Sequence, residues 1–143
     1  MERKMSKMPR WILIFVASLL ALVGPSAFAG DKDPLFISLT TDDPHRASMA
    51  IAFGGAQLER GHTLTIFLSD RGVLIGSKAN AKFAGQQAAL AELARQGAVV
   101  LVCQMCMQHY GVTTSDLASS VTVGDAQSTG AALFKDKTRS LTW

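Results

Sequence analysis

The only two cysteines of the chain, Cys103 and Cys106, are separated by two residues. They follow a short apolar run, 98–102, and precede a polar segment that ends in Gly111. This order predicts two thiols at the carboxyl end of a buried strand, which is the edge of an open α/β sheet where ligands bind. Two thiols at this spacing suit thiol redox cycling, sulfur carriage or the binding of a soft metal ion.

The two thiols are expected to have different roles. Cys103 precedes a predicted short helix that runs to Tyr110, and Cys106 lies one helical turn further along. A thiol reacts as the thiolate, and the free amides at the start of a helix favour that negative charge. Cys103 is therefore the candidate nucleophile, which accepts sulfane sulfur or attacks a disulfide. Cys106 is the candidate resolving thiol, because it can close an intramolecular disulfide with either product. A static disulfide without a catalytic role is the structural alternative.

A soft-metal site is the competing interpretation of the same segment. Cys103, Cys106 and His109 supply two thiols and an imidazole within seven residues, with Met105 and Met107 between them. These ligands suit Cu(I), and they suit Zn²⁺ less well because the chain has no second Cys-x-x-Cys pair. The two methionines point to different sides of a helix or strand, so at least one is expected in the core. On this alternative the protein is a metal-binding module without catalysis.

Other polar residues are candidates for the same edge of the sheet. His109 can either tune the thiols or cap the short helix. His45 and Arg46 follow the first predicted strand, where they either hold an anionic sulfur species or are simply solvated. Asp70 and Arg71 follow the second predicted strand and are expected to pair with each other or to close a turn.

Strand and helix patterns alternate along the chain. The strands are predicted at 35–41, 62–68, 98–102, 121–123 and 140–143, and the longer helices at 44–60, 86–96 and 126–134. Asp43 can cap the first helix, Pro44 suits its first position, and Gly61 ends it. The alternation predicts an α/β fold of three layers, α/β/α, with a mostly parallel sheet of about five strands.

One loop carries an apolar run, Val73-Leu74-Ile75, between the second strand and the second long helix. Solvated loops seldom contain three consecutive branched apolar side chains. The run is therefore expected either to pack into the core or to be covered by another subunit.

Residues 1–29 match the pattern of an export signal. A positive head precedes an uncharged apolar run, 11–23, and Ala27-Phe28-Ala29 gives the small-x-small cleavage pattern. The head contains Arg3, Lys4, Lys7 and Arg10. The apolar run is shorter than the roughly 20 residues of a membrane span. We therefore expect cleavage after Ala29, a periplasmic or secreted protein without a stable membrane anchor, and one domain at 30–143. A retained anchor is the alternative.

The charges of the chain are unevenly distributed. The whole sequence has 14 basic and 11 acidic side chains, of which residues 1–29 hold four and one, so ten of each remain. The predicted domain is thus neutral and lacks the basic stripe that nucleic-acid binding needs. It also lacks a hydrolase nucleophile elbow and a glycine-rich phosphate loop. An oxidising compartment would oxidise the two thiols unless a partner reduces them.

Four stretches of the sequence resemble the DsrE/DsrF-like family of sulfur-relay proteins. They are 39–47, 61–68, 70–73 and the cysteine segment from Val102 to Val112. In sulfur-carrying members the reactive cysteine follows the third strand and precedes a Gly-Val pair by a short helix, and Cys103 matches that position. Cys106 is an addition to this pattern and resembles an exported Cys-x-x-Cys variant.

The resemblance implies a DsrE-like fold and a sulfur carrier or thiol-redox protein, with sulfurtransferase or thiol-redox activity if it is an enzyme. It implies no organic cofactor. It implies a partner that is a sulfur donor or acceptor protein or a small sulfur species. It also implies that the protein assembles as a homo-oligomer.

Overall fold

The computed structural model describes residue 30 and residues 32–143, so the predicted signal segment, 1–29, lies outside the described residues. This part of the chain contains five strands and four α-helices. The strands are β1 (Leu35–Leu39), β2 (Leu64–Leu68), β3 (Val99–Cys103), β4 (Thr122–Gly124) and β5 (Arg139–Thr142). The α-helices are α1 (Pro44–Glu59), α2 (Ala84–Arg95), α3 (Gln104–Tyr110) and α4 (Ala126–Leu133). None of the described helices has both the length and the apolar character needed to span a bilayer.

The five strands form one sheet in the order β4-β3-β2-β1-β5, and every pairing is parallel. All strands therefore end at the same edge, where the loops that follow them meet. This confirms the predicted three-layer α/β/α fold with a parallel sheet of five strands. The observed strands differ from the predicted ones by up to two residues at their ends, and β3 includes Cys103.

The two faces of the sheet carry different helices. On one face Ile37, Ile66 and Val100 form the core with α1 and α2. Gly54 of α1 lies so close that a Cβ there would be 3.0 Å from the Ile37 side chain. Side chains alternate along a strand, so Leu101 faces the opposite side, where α4 packs.

The helix ends follow the signals in the sequence. The Asp43 side chain caps α1 by accepting a hydrogen bond from the Arg46 backbone N–H at 2.8 Å, and Pro44 is the first helical residue. Gly111 ends α3 in the left-handed conformation, with φ of 68°, which glycine adopts without steric cost. These local signals therefore fix where α1 begins and where α3 ends.

The loop after β2 packs into the core of its own chain. Val73 and Ile75 are fully buried. The apolar run 73–75 therefore packs into the core of its own chain, and it no longer argues for a cover by another subunit. At Gly72 a Cβ would lie 2.0 Å from the carbonyl oxygen of Leu39. The loop therefore crosses directly over the end of β1, and the Ser69 backbone N–H donates to that same oxygen at 3.0 Å.

Candidate thiol site at the carboxyl edge of the sheet

Cys103 is both the last residue of β3 and the cap of α3. It pairs in register with Gly124 of β4, and its Sγ accepts a hydrogen bond from the backbone N–H of Cys106 at 3.2 Å. An amide N–H directed at sulfur stabilises a negative charge on it. The side chain predicted to be the nucleophile therefore occupies the position where a thiolate is favoured.

Cys103 and Cys106 are joined by a disulfide. Their Cα atoms are 5.2 Å apart, within the usual range for a disulfide. Both side chains are partly buried against the core. The turn thus holds the two cysteines at a separation that a disulfide spans.

A shallow cleft of about 270 Å³ opens beside Cys103. It lies where the chain leaves the sheet in two directions. α3 brings Met107 into the core on the α1 face, whereas α4 follows β4 onto the opposite face. A crevice at such a divergence is the usual ligand position in an open α/β sheet. The lining residues are Phe67, Cys103, Gln104, Met105, Gly124, Asp125, Ala126 and Thr129.

The two methionines beside the cysteines have different environments. Met107 is 4% exposed and belongs to the core, as expected for at least one of them. Met105 is 78% exposed and lies at the cleft. An exposed thioether at this cleft provides an apolar, adaptable contact surface.

Asp70 and Arg71 close a 3₁₀ turn, but they do not pair with each other. Asp70 accepts a hydrogen bond from the Tyr110 hydroxyl at 2.5 Å, which ties the end of α3 to the loop after β2. Arg71 donates to both carboxylate oxygens of Asp42, at 2.8 and 2.7 Å. The hydrogen bond from Arg71 lowers the pKa of Asp42, and the hydrogen bond to Asp70 raises the pKa of the Tyr110 phenol. Tyr110 therefore remains a protonated donor at neutral pH.

The three predicted binding residues are exposed. His109 packs edge-on against the ring of Tyr110, with 4.7 Å between ring centroids. His45 and Arg46 lie in the first turn of α1, at the same sheet edge as Cys103 but after β1, two strands away. Among the described residues, no hydrogen bond or ion pair joins any of the three to Cys103 or Cys106. Their role in binding stays a prediction.

The residues proposed for a soft metal are not assembled into a site. In the part of the chain that the structure describes, no three or more His, Cys, Asp or Glu side chains form a group that could hold a metal ion. Cys103, Cys106 and His109 are thus not gathered around a common point.

Asp125 is a cleft residue that the sequence analysis missed. It caps α4, where its carboxylate accepts hydrogen bonds from the backbone N–H and the hydroxyl of Ser128, both at 2.7 Å. These bonds lower the pKa of the Asp125 carboxyl, which is therefore ionised at neutral pH. An aspartate between the predicted strand 121–123 and a helix is a typical cap. Because parallel strands share one carboxyl edge, this signal could have placed it near Cys103.

The sequence model of the DsrE/DsrF-like family matches residues 34–141. The chain belongs to the DsrE/DsrF-like family. The matched residues include the cysteine segment and nearly all of the described sheet. Membership of the DsrE/DsrF-like family supports a role in sulfur relay or thiol redox chemistry in general, and family members generally interact with sulfur-relay partners.

Solved structures share the fold of this DsrE/DsrF-like protein. The crystal structure of the ychN protein from E. coli superposes with a TM-score of 0.66 at 18% identity, covering 78% of this chain and 99% of that one. A conserved protein of unknown function from Bacteroides thetaiotaomicron superposes with a TM-score of 0.57 at 24% identity, covering 76% and 95%. These identities show a common fold alone. A search of curated proteins gave no match.

Proposed function

We propose that this DsrE/DsrF-like protein is a sulfur carrier or thiol-redox protein in which Cys103 is the nucleophilic thiol and Cys106 the resolving thiol. The hydrogen bond from the Cys106 backbone N–H to Cys103 Sγ carries the proposal. It favours the thiolate at Cys103 and places the second sulfur beside it. Cys103 also lines the cleft, whereas Cys106 does not, so an incoming sulfur species meets Cys103 first.

Sulfur transfer at this site needs no cofactor, because each bond that forms is matched by one that breaks. The Cys103 thiolate attacks the sulfane sulfur of a persulfide donor, the sulfur–sulfur bond of the donor breaks, and the donor leaves as a thiolate. Attack by an acceptor thiolate on the terminal sulfur then frees the Cys103 thiolate. When no acceptor is present, Cys106 attacks Cys103 Sγ, expels hydrosulfide and forms the intramolecular disulfide. A partner dithiol must supply two electrons to restore the reduced pair.

Sulfur uptake by the reduced, metal-free protein tests this proposal. After incubation with a persulfide or polysulfide donor, intact mass should rise in steps of one sulfur atom. Cys103→Ser should abolish the gain because the acceptor thiolate is missing. Cys106→Ser should preserve or prolong it because the step that expels hydrosulfide is missing.

The two serine variants form a matched pair, since each removes one sulfur from the same turn of the chain. Equal loss of sulfur uptake in both would contradict the separate roles. A wild-type protein that takes up no sulfur and keeps its disulfide in the presence of excess reductant would instead indicate a static, structural bridge.

We also propose that the protein is exported, on the basis of the charged head, the apolar run 11–23 and the cleavage pattern at Ala27-Phe28-Ala29. Intact mass of the protein isolated from its native compartment tests export and sulfur loading in the same spectrum. A chain that begins at Gly30 supports export, and a full-length chain in the membrane fraction contradicts it.

A further inference from the structure

The cleft beside Cys103 has one fixed charge. Of its eight lining residues, all within the described part of the chain, Asp125 alone carries a charged side chain. Its hydrogen bonds with Ser128 hold the carboxylate in place. An incoming thiolate or persulfide therefore approaches Cys103 past a negative charge that no cation among the lining residues offsets.

Asp125 is held near Cys103 by the pairing of β3 with β4. Cys103 lies directly opposite Gly124 in that pairing, and Asp125 follows Gly124 at once. At Gly124 a Cβ would be 2.9 Å from the Thr129 hydroxyl and 3.2 Å from Leu101. The absence of a side chain thus lets the first turn of α4 approach β3, which keeps Asp125 in the lining of the cleft.

The rest of the cleft lining is uncharged, and two of its side chains are large and apolar. Met105 is 78% exposed, and the half-buried ring of Phe67 lines the same cleft. An ionised carboxylate next to an exposed thioether and an aromatic ring suits an apolar group with a positive neighbour. It does not suit a small anion such as thiosulfate, which would lose hydration without gaining a cation.

We propose that Asp125 selects the partner of Cys103, favouring a protein cysteine flanked by basic and apolar side chains over anionic thiols and small anionic sulfur species. This inference rests on the proposed role of Cys103 as the thiol that reacts with partners. Asp125 is a specificity residue and takes no part in bond making. Its effect is electrostatic and acts on the approach of the attacking group.

The reaction that Asp125 controls is opening of the disulfide. The partner thiolate attacks Cys103 Sγ, a mixed disulfide forms, and Cys106 leaves as a thiolate. A second partner thiol attacks the partner sulfur of the mixed disulfide and releases the Cys103 thiolate. The protein gains two electrons and two protons, and the partner is oxidised to its disulfide.

Three reduced peptides that differ in one residue beside a single cysteine test the proposal. The neighbour is Lys, Gln or Glu. Acid quenching followed by intact mass gives the rate at which excess peptide opens the disulfide.

The variant Asp125→Asn removes the charge and keeps α4, because Asn replaces Asp at a helix cap with little loss of stability. At low salt we expect Asp125→Asn to slow the Lys peptide and speed the Glu peptide by about three-fold each. The rate of the Gln peptide should change by an amount between these two, because its attacking thiolate is itself repelled by the Asp125 carboxylate.

Asp116→Asn is the matched control. Asp116 is also an ionised carboxylate at the start of a helical turn, where it accepts hydrogen bonds from the backbone N–H and the hydroxyl of Thr113, but it does not line the cleft. The proposal is overturned if Asp125→Asn changes all three rates equally, changes none, or acts no differently from Asp116→Asn. The peptide assay needs only the disulfide. If all three peptides open the disulfide without charge selectivity, the role of Asp125 is overturned and the proposed function is not. A failure of sulfur uptake would overturn the proposed function alone.

Discussion

At the scale of single residues, the hydrogen bond between Cys106 N–H and Cys103 Sγ separates two chemically identical side chains. Cys103 precedes the helix and accepts from the free backbone N–H of Cys106, whereas Cys106 itself lies inside α3. The amide that stabilises a leaving or attacking thiolate therefore serves one sulfur and not the other. The same hydrogen bond raises the fraction of Cys103 that is present as the thiolate and makes that thiolate the better leaving group, which suits a carrier that must both take and release sulfur.

This asymmetry predicts different alkylation rates in the reduced protein. At mildly acidic pH, iodoacetamide should label Cys103 before Cys106, because only a thiolate reacts. Peptide mapping after a short exposure gives the order. The single variants Cys103→Ser and Cys106→Ser provide the control, since each reports the remaining thiol separately. Equal labelling, or faster labelling of Cys106, would contradict the assigned roles.

The residues around the thiols were predictable to different degrees. The positions of Cys103 and Gly111 at the two ends of α3 depend on neighbours within a few residues, so the sequence contains the whole signal for them. The partners of Asp70 and Arg71 lie 40 and 29 residues away. Sequence order cannot indicate such contacts, because they depend on how the loop after β2 crosses the sheet edge.

At the scale of elements, the loop after β2 is as much a part of the core as a helix. Val73 and Ile75 are buried, and Asp70 at its start holds the end of α3 through Tyr110. The loop thus joins β1, β2 and the helix that carries Cys106. Neither hydrophobic periodicity nor propensity identifies such an element, because its 3₁₀ turn, Asp70–Leu74, is too short to have a period.

Gly72→Ala should destabilise the protein strongly. The added Cβ would lie 2.0 Å from the Leu39 carbonyl oxygen, a backbone atom that cannot move aside without displacing β1. We expect the free energy of unfolding to fall by roughly 3 kcal/mol, in the upper range for a single substitution. Urea denaturation followed by circular dichroism measures it.

Gly85→Ala is the matched control for that experiment. Gly85 lies in the first turn of α2, and a Cβ there would meet no atom within 4 Å. The substitution should leave stability unchanged or raise it by up to about 1 kcal/mol, because alanine is the better helix former. Equal effects at Gly72 and Gly85 would show that the loop does not cross β1 closely.

At the scale of the whole molecule, the two faces of the sheet are unequally covered. α1 and α2 bury one face, whereas the short α4 covers the other. On that second face Val99 is 48% exposed, and Phe134, which follows α4, is 84% exposed. Val99 also lines a cleft with Ala131 and Ala132 of α4, so the exposed apolar groups lie at one end of this helix. Exposed apolar groups gathered in this way are typical of an interaction surface.

We therefore predict that the protein forms a homo-oligomer through the apolar groups at the C-terminal end of α4, which leaves the cleft at the N-terminal end of this helix open. The family resemblance implies the same assembly, and burial of Phe134 against a second copy would remove the most exposed large apolar side chain among the described residues. Light scattering at micromolar concentration should give a mass above that of the monomer, and Phe134→Ser should lower it. Met49→Ser is the matched control, because Met49 is 52% exposed but lies on α1, on the opposite face. A monomeric wild-type protein would contradict the assembly, and an oligomer that Phe134→Ser leaves intact would contradict its placement on this face.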